Sequence, residues 1–252
     1  MSKLANVAIK RFIGVSQIDY PGRVVSVLFV GGCNFRCPYC HNADLVLRPS
    51  FRPTIPIEPL LTELERRRRF VEGVVLTGGE PTLYPALAGP LRTIQAMGFA
   101  IKLNTNGSQP DVLRDWLAQG LLDYVAMDVK APRERYPEVA GRDVDVEAIS
   151  ASVDLLRHSG LPHEFCTTVV PTLLDVKDVE AIARWIAGPS LYFLQQFQPN
   201  VCLDPRLEGM EPYSAAELES VAAAARSYLS DVHLRGLGWS GMPSERVDGN
   251  SP

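Results

Sequence analysis

Short apolar segments rich in β-branched residues alternate along the chain with longer amphipathic segments. The apolar segments predict strands at Val24–Val30, Gly73–Leu76, Ala100–Asn104, Tyr124–Val129, His163–Val169, Leu191–Phe197 and Val232–Leu237. The amphipathic segments predict helices at Pro56–Phe70, Pro85–Met97, Asp111–Gln119, Val146–Ser159, Val176–Ala187 and Ala215–Leu229. Because most of these strands are continuously apolar and alternate with helices, the pattern indicates a parallel sheet covered by helices on its outer face.

The number of elements distinguishes between related α/β architectures. Seven strands and six helices are too few for a closed barrel of eight strand–helix units. We therefore predict a partial, open (β/α)6 barrel with parallel strands, and a doubly wound open sheet is the alternative. In both folds, ligands bind beyond the carboxyl ends of the strands. We expect one domain over residues 1–239 and a flexible polar tail over residues 240–252.

Composition and charge narrow the class of protein. Hydrophobic residues make up 46% of the 252 residues and charged residues 21%, which is typical of soluble globular proteins. The net charge is −4 and no basic stripe is present, which disfavours a nucleic-acid partner. The amino-terminal residues lack the apolar core of a secretion signal, and the apolar run Val27–Val30 is far shorter than a membrane span. We expect a cytoplasmic protein that does not bind membranes.

Three of the five cysteines lie close together, directly after the first predicted strand. Cys33, Cys37 and Cys40 have the spacing C-x3-C-x2-C. An odd total with such a tight group argues against a disulfide framework and indicates a metal site. Three thiolates can ligate three irons of a [4Fe–4S] cluster and leave the fourth iron open to a small molecule. Cys166 and Cys202 are isolated, and we interpret them as single buried or incidental cysteines.

Three other readings of this segment stay open at this stage. Cys37–His41 has the C-x-x-C-H spacing of haem attachment, which is chemistry of exported proteins. A structural zinc ion needs four converging ligands, and His41 is awkwardly placed directly beside Cys40. A thioredoxin-like C-x-x-C pair would leave Cys33 without a purpose. The cluster is the favoured interpretation.

A second motif, Thr77–Pro81, follows the next predicted strand. Gly78 and Gly79 allow close approach to the backbone, and the carboxylate of Glu80 can bind an ammonium group. Taken alone, the motif could be an ordinary strand-to-helix turn with Glu80 at the helix start. Because both motifs follow neighbouring parallel strands, we expect them at the same end of the sheet.

Together these motifs resemble the radical S-adenosylmethionine (SAM) superfamily, whose partial barrels carry C-x3-C-x-aromatic-C and a Gly-Gly-Glu turn. The flanking segments look like those of glycyl-radical-enzyme activating enzymes, and most of all like anaerobic ribonucleoside-triphosphate reductase activating proteins. The segments that carry this resemblance are Ile18–Gly22, Gly32–Asn42, Leu103–Gly107 and Met127–Lys130.

The resemblance implies roles for individual residues. The three cysteines of the motif would hold the cluster, and the amine and carboxylate of SAM would chelate the remaining iron. Gly78, Gly79 and Glu80 would hold the SAM ammonium, and Tyr39 would face the adenine. Lys130 resembles a lysine that contacts SAM.

Two positions depart from the pyruvate formate-lyase activating enzymes. Asn104, Thr105 and Asp128 fall where those enzymes bind a monovalent cation, but Asn104 replaces an aspartate, so one negative charge is missing. Gln196 lies near a strand end where those enzymes have a histidine, which favours the reductase-activating type. No cysteine lies between Cys40 and Thr77, so we expect a single cluster.

The resemblance also implies a reaction and its partners. A flavodoxin- or ferredoxin-type donor would reduce the cluster, SAM would be cleaved to a 5′-deoxyadenosyl radical, and a glycine of a partner enzyme would lose a hydrogen atom. The expected partner is a glycyl radical enzyme, namely anaerobic ribonucleotide reductase. The same motifs also suit a radical SAM enzyme that modifies a small molecule or peptide, and a non-enzymatic metal protein is the third hypothesis.

Overall fold

The computed structural model describes residues 9–237, which form a single sheet of eight strands. The strands are β1 (Ile9–Ser16), β2 (Val25–Val30), β3 (Gly73–Gly78), β4 (Ala100–Thr105), β5 (Tyr124–Asp128), β6 (His163–Val169), β7 (Leu191–Gln196) and β8 (Val232–Arg235). Strands β2 to β8 pair in parallel in chain order, and β1 pairs with β2 in antiparallel orientation. Within the described residues β8 does not pair with β1, so the barrel is open. The strand order has no reversal, which excludes the doubly wound alternative.

In this part of the chain, eight α-helices connect the strands. They are α1 (Ala43–Leu47), α2 (Ile57–Arg67), α3 (Ala88–Ala96), α4 (Pro110–Ala118), α5 (Tyr136–Ala140), α6 (Val146–His158), α7 (Val176–Trp185) and α8 (Ala215–Ala225). Polar side chains at the amino termini of α6, α7 and α8 accept hydrogen bonds from the first backbone N–H groups, which fixes where these helices begin. Asp175 and Ser214 form capping boxes with the residues three positions further on.

The two faces of the strands differ in chemistry. On β6, Phe165 and Val169 are buried in the main hydrophobic core, whereas Glu164 and Cys166 line a cavity inside the barrel. Side chains alternate between the two faces of a strand, so each strand places apolar residues under the helices and polar residues in the lumen. Asn104 on β4 follows the same rule. The cavity therefore lies on the inner face of the sheet.

A small apolar cluster closes the amino-terminal end of the lumen. It consists of Tyr20, Val25, Val27, Val75 and Tyr124. Val25 and Tyr124 are the first residues of their strands, so this cluster forms the floor of the barrel. The cavity consequently opens toward the carboxyl ends of the strands.

The predicted fold class is confirmed, and the predicted strands and helices correspond to β2–β8 and to the six longer helices. Strand β1 and the short helices α1 and α5 were not predicted. Strand β1 lies at the edge of the sheet, and its Ile13 and Val15 are exposed. Its sequence therefore lacks the continuous apolar run by which the other strands were predicted. Helices α1 and α5 have five residues each, too few to show a helical period.

Some predictions concern the chain termini. The proposed flexible tail at residues 240–252 lies outside the described residues, and the extent of the domain over residues 1–239 stays a prediction. Within residues 9–237, no helix combines the length and the apolar character required to cross a membrane.

The assignment of the strand faces can be tested on β6. We expect Phe165→Ala to lower the free energy of unfolding by about 3–5 kcal/mol, because the ring is fully buried under the helices. The neighbouring Cys166→Ala removes a side chain that borders the cavity, and we expect a loss below about 1 kcal/mol. Chemical denaturation measures both values. Equal losses for the two variants would contradict the face assignment.

Candidate active site

A cavity of about 850 Å³ occupies the open barrel, and every residue predicted to bind a cofactor lines it. These residues are Cys33, Cys37, Tyr39, Cys40, Gly78, Gly79, Glu80, Asn104, Thr105, Asp128, Lys130 and Gln196. They come from the carboxyl ends of the strands and the loops that follow, where α/β barrels bind their ligands. The structure thus brings together side chains that are distant in the sequence.

The cysteine loop, residues 31–42, is clamped by the two short helices. The N–H of Gly32 donates to the Leu45 carbonyl in α1 at 2.8 Å, and that of Arg36 donates to the Ala140 carbonyl in α5 at 2.8 Å. The Arg36 guanidinium also donates to the Cys33 carbonyl at 2.7 Å. These bonds hold the first half of the loop, from Gly32 to Arg36, against the two helices.

All three thiols of the cysteine loop border the cavity. Within residues 9–237, no group of three or more His, Cys, Asp or Glu side chains forms a recognisable site for a single metal ion. A cubane cluster takes its protein thiolates on different irons, so three cysteines of one loop suit the donor set of a [4Fe–4S] cluster. Burial raises the pKa of Cys33 to about 11 and that of Cys37 to about 12, so the free thiols are protonated and metal binding would release their protons.

The Gly-Gly turn packs directly against the backbone of the cysteine loop. Gly79 donates its N–H to the Val30 carbonyl and Glu80 donates to the Gly32 carbonyl, both at 2.9 Å. A Cβ atom at Gly79 would overlap the Gly32 carbonyl, and Gly78 has a φ of +116°, which favours glycine. Glycine is therefore required at both positions, for close approach and for conformation.

Glu80 is buried, and protein groups occupy most of its hydrogen-bonding capacity. Its Oε1 accepts bonds from the Thr82 N–H at 3.0 Å, the Thr82 hydroxyl at 2.6 Å and the Thr105 hydroxyl at 2.7 Å. Its Oε2 accepts the Asn106 N–H at 2.7 Å. Burial raises the pKa of this carboxyl, and the hydrogen bonds act in the opposite direction. Glu80 thereby ties the Gly-Gly turn to the end of β4, and capacity for a ligand is left mainly at Oε2.

Asn106 is a residue of this site that the sequence analysis did not single out. Its buried side-chain amide donates to the Asn34 Oδ1 at 3.0 Å and lies 3.8 Å from the Cys33 Sγ. N–H groups directed at thiolates tune the potentials of iron–sulfur clusters. The sequence could have pointed to Asn106, because it directly follows Thr105 in the Leu103–Gly107 segment that resembles the radical SAM activating enzymes.

Lys130 and Tyr39 form one wall of the cavity. The Lys130 ammonium pairs with the Asp128 carboxylate at 2.8 Å and lies 5.8 Å from the centre of the Tyr39 ring. Burial alone would lower the pKa of Lys130, but Asp128 raises it well above the usual range, so the lysine stays charged. The ammonium places a fixed positive charge beside an aromatic face.

Two buried polar atoms in this region have no partner among the described residues. They are the Tyr39 hydroxyl and the Asn104 Oδ1, and both residues line the cavity. An orphaned buried polar group is costly unless a ligand or water satisfies it. An amide oxygen can accept from the amine of SAM, a charged ammonium can pair with its carboxylate and an aromatic ring can pack on its adenine, so these residues fit that cofactor.

The monovalent-cation site stays a prediction, and the geometry does not favour it. The Thr105 hydroxyl donates to Glu80 and accepts the Gly107 N–H, and the Asp128 carboxylate already pairs with Lys130. Asn104 supplies an oxygen but no charge. Gln196 also lines the cavity, where its side-chain amide donates to the Tyr213 carbonyl at 2.7 Å.

The lower part of the lumen holds charged residues that the sequence analysis missed. Lys102 on β4, Glu164 on β6 and Arg235 on β8 all line the cavity below the cysteine loop. Their signal was a charged residue inside each of three predicted strands.

Comparison with known proteins decides the family. Residues 27–186 match the family model described as the radical SAM superfamily. The chain belongs to the radical SAM superfamily. It is an enzyme of that superfamily, whose cofactors are a [4Fe–4S] cluster and SAM.

Two curated relatives show the range of activities among similar proteins. The chain is 32% identical to a candidate glycyl-radical enzyme activating enzyme, MJ1227, of Methanocaldococcus jannaschii, with 88% of this chain and 93% of that protein covered. It is 30% identical to an S-adenosylmethionine-dependent nucleotide dehydratase of a Thermoplasmatales archaeon, with 59% of this chain and 53% of that protein covered. The family model shows the superfamily, whereas the names of these two relatives describe different activities on different substrates.

A solved structure agrees in fold. Streptococcus suis SuiB bound to S-adenosylmethionine superimposes with a TM-score of 0.64 at 14% identity, covering 81% of this chain and 48% of SuiB. The chain thus spans about half the length of this solved protein. At this identity the likeness shows the partial-barrel fold of radical SAM enzymes and nothing about substrate.

The contact between the Gly-Gly turn and the cysteine loop can be tested by Gly79→Ala. Because the added methyl group would overlap the Gly32 carbonyl, the cysteine loop must shift. We expect iron bound after anaerobic reconstitution to fall at least twofold from about four per chain. Gly89→Ala, inside helix α3, is the matched control and should retain full iron. Full iron in Gly79→Ala would contradict the close packing.

Proposed function

We propose that this radical SAM enzyme activates a glycyl radical enzyme by removing a hydrogen atom from a glycine of that partner. The main support is the relative from Methanocaldococcus jannaschii, which is named for this activity and matches over nearly the whole of both chains. The resemblance of the Ile18–Gly22 and Gly32–Asn42 segments favours anaerobic ribonucleotide reductase as the partner. The open barrel supports the proposal further, because a polypeptide segment needs a lateral route to the lumen.

Each group around the cavity has a role in this proposal. The thiolates of Cys33, Cys37 and Cys40 would hold three irons, and the backbone of Gly78 and Gly79 would hold the SAM ammonium together with Glu80 Oε2. Other groups would contact the rest of SAM, with Asn104 Oδ1 as an acceptor, Lys130 as a cation and Tyr39 as a packing surface for the adenine. We also propose that the cofactor site includes three further residues that line the cavity, namely Thr105, Asp128 and Gln196.

The protein contributes binding, orientation and exclusion of water. When bound, the cluster and SAM supply reductive cleavage of a carbon–sulfur bond and the abstraction of a hydrogen atom. The cysteine loop is fixed by α1 and α5, and Glu80 holds the Gly-Gly turn against the end of β4. The closed floor and the deep cavity shield a reactive species from solvent. We propose a flavodoxin- or ferredoxin-type electron donor, anaerobic conditions and a cytoplasmic location.

A second candidate is a radical SAM enzyme that acts on a small molecule or peptide. It is supported by the nucleotide dehydratase, although the match covers only 53% of that protein. Both candidates use the same cofactor site, so they differ in the identity of the group that loses hydrogen.

The proposed activity is tested by mixing the reconstituted protein, SAM, dithionite and an anaerobic ribonucleotide reductase from the same organism. We expect a glycyl radical signal on the reductase by electron paramagnetic resonance. Cys37→Ala should abolish the signal, and Cys202→Ala should retain it because Cys202 does not line the cavity.

Formation of 5′-deoxyadenosine without a radical on the reductase would reject the proposed activity. A modified small product from cell extract under those conditions would support the second candidate.

Asn106 provides a further test of the cluster assignment. Asn106→Leu keeps the size of the side chain but removes the amide that lies 3.8 Å from the Cys33 Sγ. Because an N–H group stabilises the more negative reduced cluster, we expect a more negative midpoint potential in redox titration. Ser108→Ala, which removes only the acceptor for Asn34, should leave the potential close to that of the wild type. A positive shift in Asn106→Leu would contradict this role.

A further inference from the structure

We propose that Lys102 and Arg235 form a subsite in the lower lumen that binds a carboxylate group of the substrate, with Glu164 as the residue that positions both cations. The inference rests on the proposed function only for the source of the carboxylate, which would be an acidic side chain near the target glycine. A free small carboxylate is the other source, and the test below separates the two.

The three residues meet inside the barrel although they come from β4, β6 and β8. Glu164 accepts hydrogen bonds from the Arg235 guanidinium at 3.0 and 3.2 Å, and the Lys102 ammonium lies 3.5 Å from its Oε1. The Tyr124 hydroxyl donates to its other oxygen at 2.9 Å. The side chains of Lys102 and Glu164 are only 4% and 1% exposed, yet both line the cavity.

The charges in this cluster do not balance. Lys102 and Arg235 each carry one positive charge, whereas Glu164 carries one negative charge, so one positive charge remains. The carboxylate of Asp128 is already paired with Lys130. Asp19 also lines the cavity, from the loop before β2, and its negative charge acts on Lys102. It accepts a bond from the Ser16 hydroxyl and, within residues 9–237, makes no ion pair with that lysine. The three side chains in direct contact therefore place a net positive charge beside the cavity, which favours an anionic ligand.

Lys102 and Arg235 keep N–H groups that are not used in hydrogen bonds. Glu164 already accepts two contacts at each of its two oxygens. An ammonium has three N–H groups, and Lys102 has one long contact with Glu164 and lies 5.1 Å from the centre of the Tyr124 ring. Arg235 donates two bonds to Glu164, stacks on Phe193 at 3.7 Å and remains 37% exposed. Its free N–H groups and those of Lys102 border the same cavity.

The size of the excess charge selects the ligand. One carboxylate carries a single negative charge and would bring the cluster to neutrality. A phosphate carries about −1.5 to −2 at neutral pH, which exceeds the single positive charge of these three residues. The guanidinium fork and the ammonium also suit the two oxygens of a carboxylate.

The test uses the full chain with its cluster reconstituted and SAM bound. Trifluoroacetate, followed by fluorine nuclear magnetic resonance, is the probe for a bare carboxylate. We expect Lys102→Met to weaken its binding at least tenfold, since the cluster becomes neutral. Glu164→Gln should tighten binding about tenfold, because the excess charge doubles. Lys177→Met, on the exposed surface of α7, has the same change in charge as Lys102→Met and should leave the affinity unchanged.

A pair of peptides identifies the source of the carboxylate without any variant. Acetyl-Gly-Gly-Glu-Gly-amide and the same peptide with Gln in place of Glu are titrated against the wild-type protein. Tighter binding of the Glu peptide than of the Gln peptide and of trifluoroacetate supports an acidic side chain of a polypeptide. Binding of trifluoroacetate alone supports a small carboxylate.

The subsite is rejected if no probe binds in a manner that depends on Lys102, or if Glu164→Gln weakens binding, because the cluster would then be purely structural. This outcome is separate from that of the proposed function. Loss of the glycyl radical with intact carboxylate binding rejects the activity and leaves the subsite in place.

Discussion

The backbone of the Gly-Gly turn lies so close to the cysteine loop that a single Cβ atom cannot be accommodated between Gly79 and Gly32. Hydrogen bonds from Gly79 to Val30 and from Glu80 to Gly32 extend the pairing of β2 and β3 beyond the ends of the strands. The two loops are therefore one rigid unit. The thiols proposed to hold a cluster and the backbone groups proposed to hold SAM keep a fixed relation to each other, which a reaction between two cofactors requires.

The rest of the site is built outward from this unit. Glu80 joins it to Thr105 and Asn106 at the end of β4, and α5 holds the other side of the cysteine loop through Ala140. Below it, polar residues face the lumen while apolar residues pack under the helices. This division explains how one barrel holds a deep polar cavity without loss of its hydrophobic core, because the core lies outside the sheet.

The sequence allowed the order of strands and helices to be predicted, because buried strands and amphipathic helices have clear periods. It also allowed the cysteine motif and the Gly-Gly-Glu motif to be placed together, since parallel strands end at one rim. Strand β1 could not be predicted, because an edge strand with exposed Ile13 and Val15 lacks a buried face. The sequence could not show that protein donors already fill most of the hydrogen-bonding capacity of Glu80, because Thr105 and Asn106 lie at the end of a different strand. Lys102, Glu164 and Arg235 are far apart in sequence and are not level in the register of the sheet, and only their side-chain contacts show that they meet.

Three cysteine thiolates would leave one iron of a [4Fe–4S] cluster open to the amine and carboxylate of SAM in this cavity. Electron–nuclear double resonance on the reduced, reconstituted protein with SAM labelled by ¹⁵N at its amine tests whether SAM binds there. We expect a hyperfine coupling between the label and the cluster, because the amine would coordinate the open iron. A reduced cluster whose spectrum shows no coupling to the label would show that SAM does not bind to it.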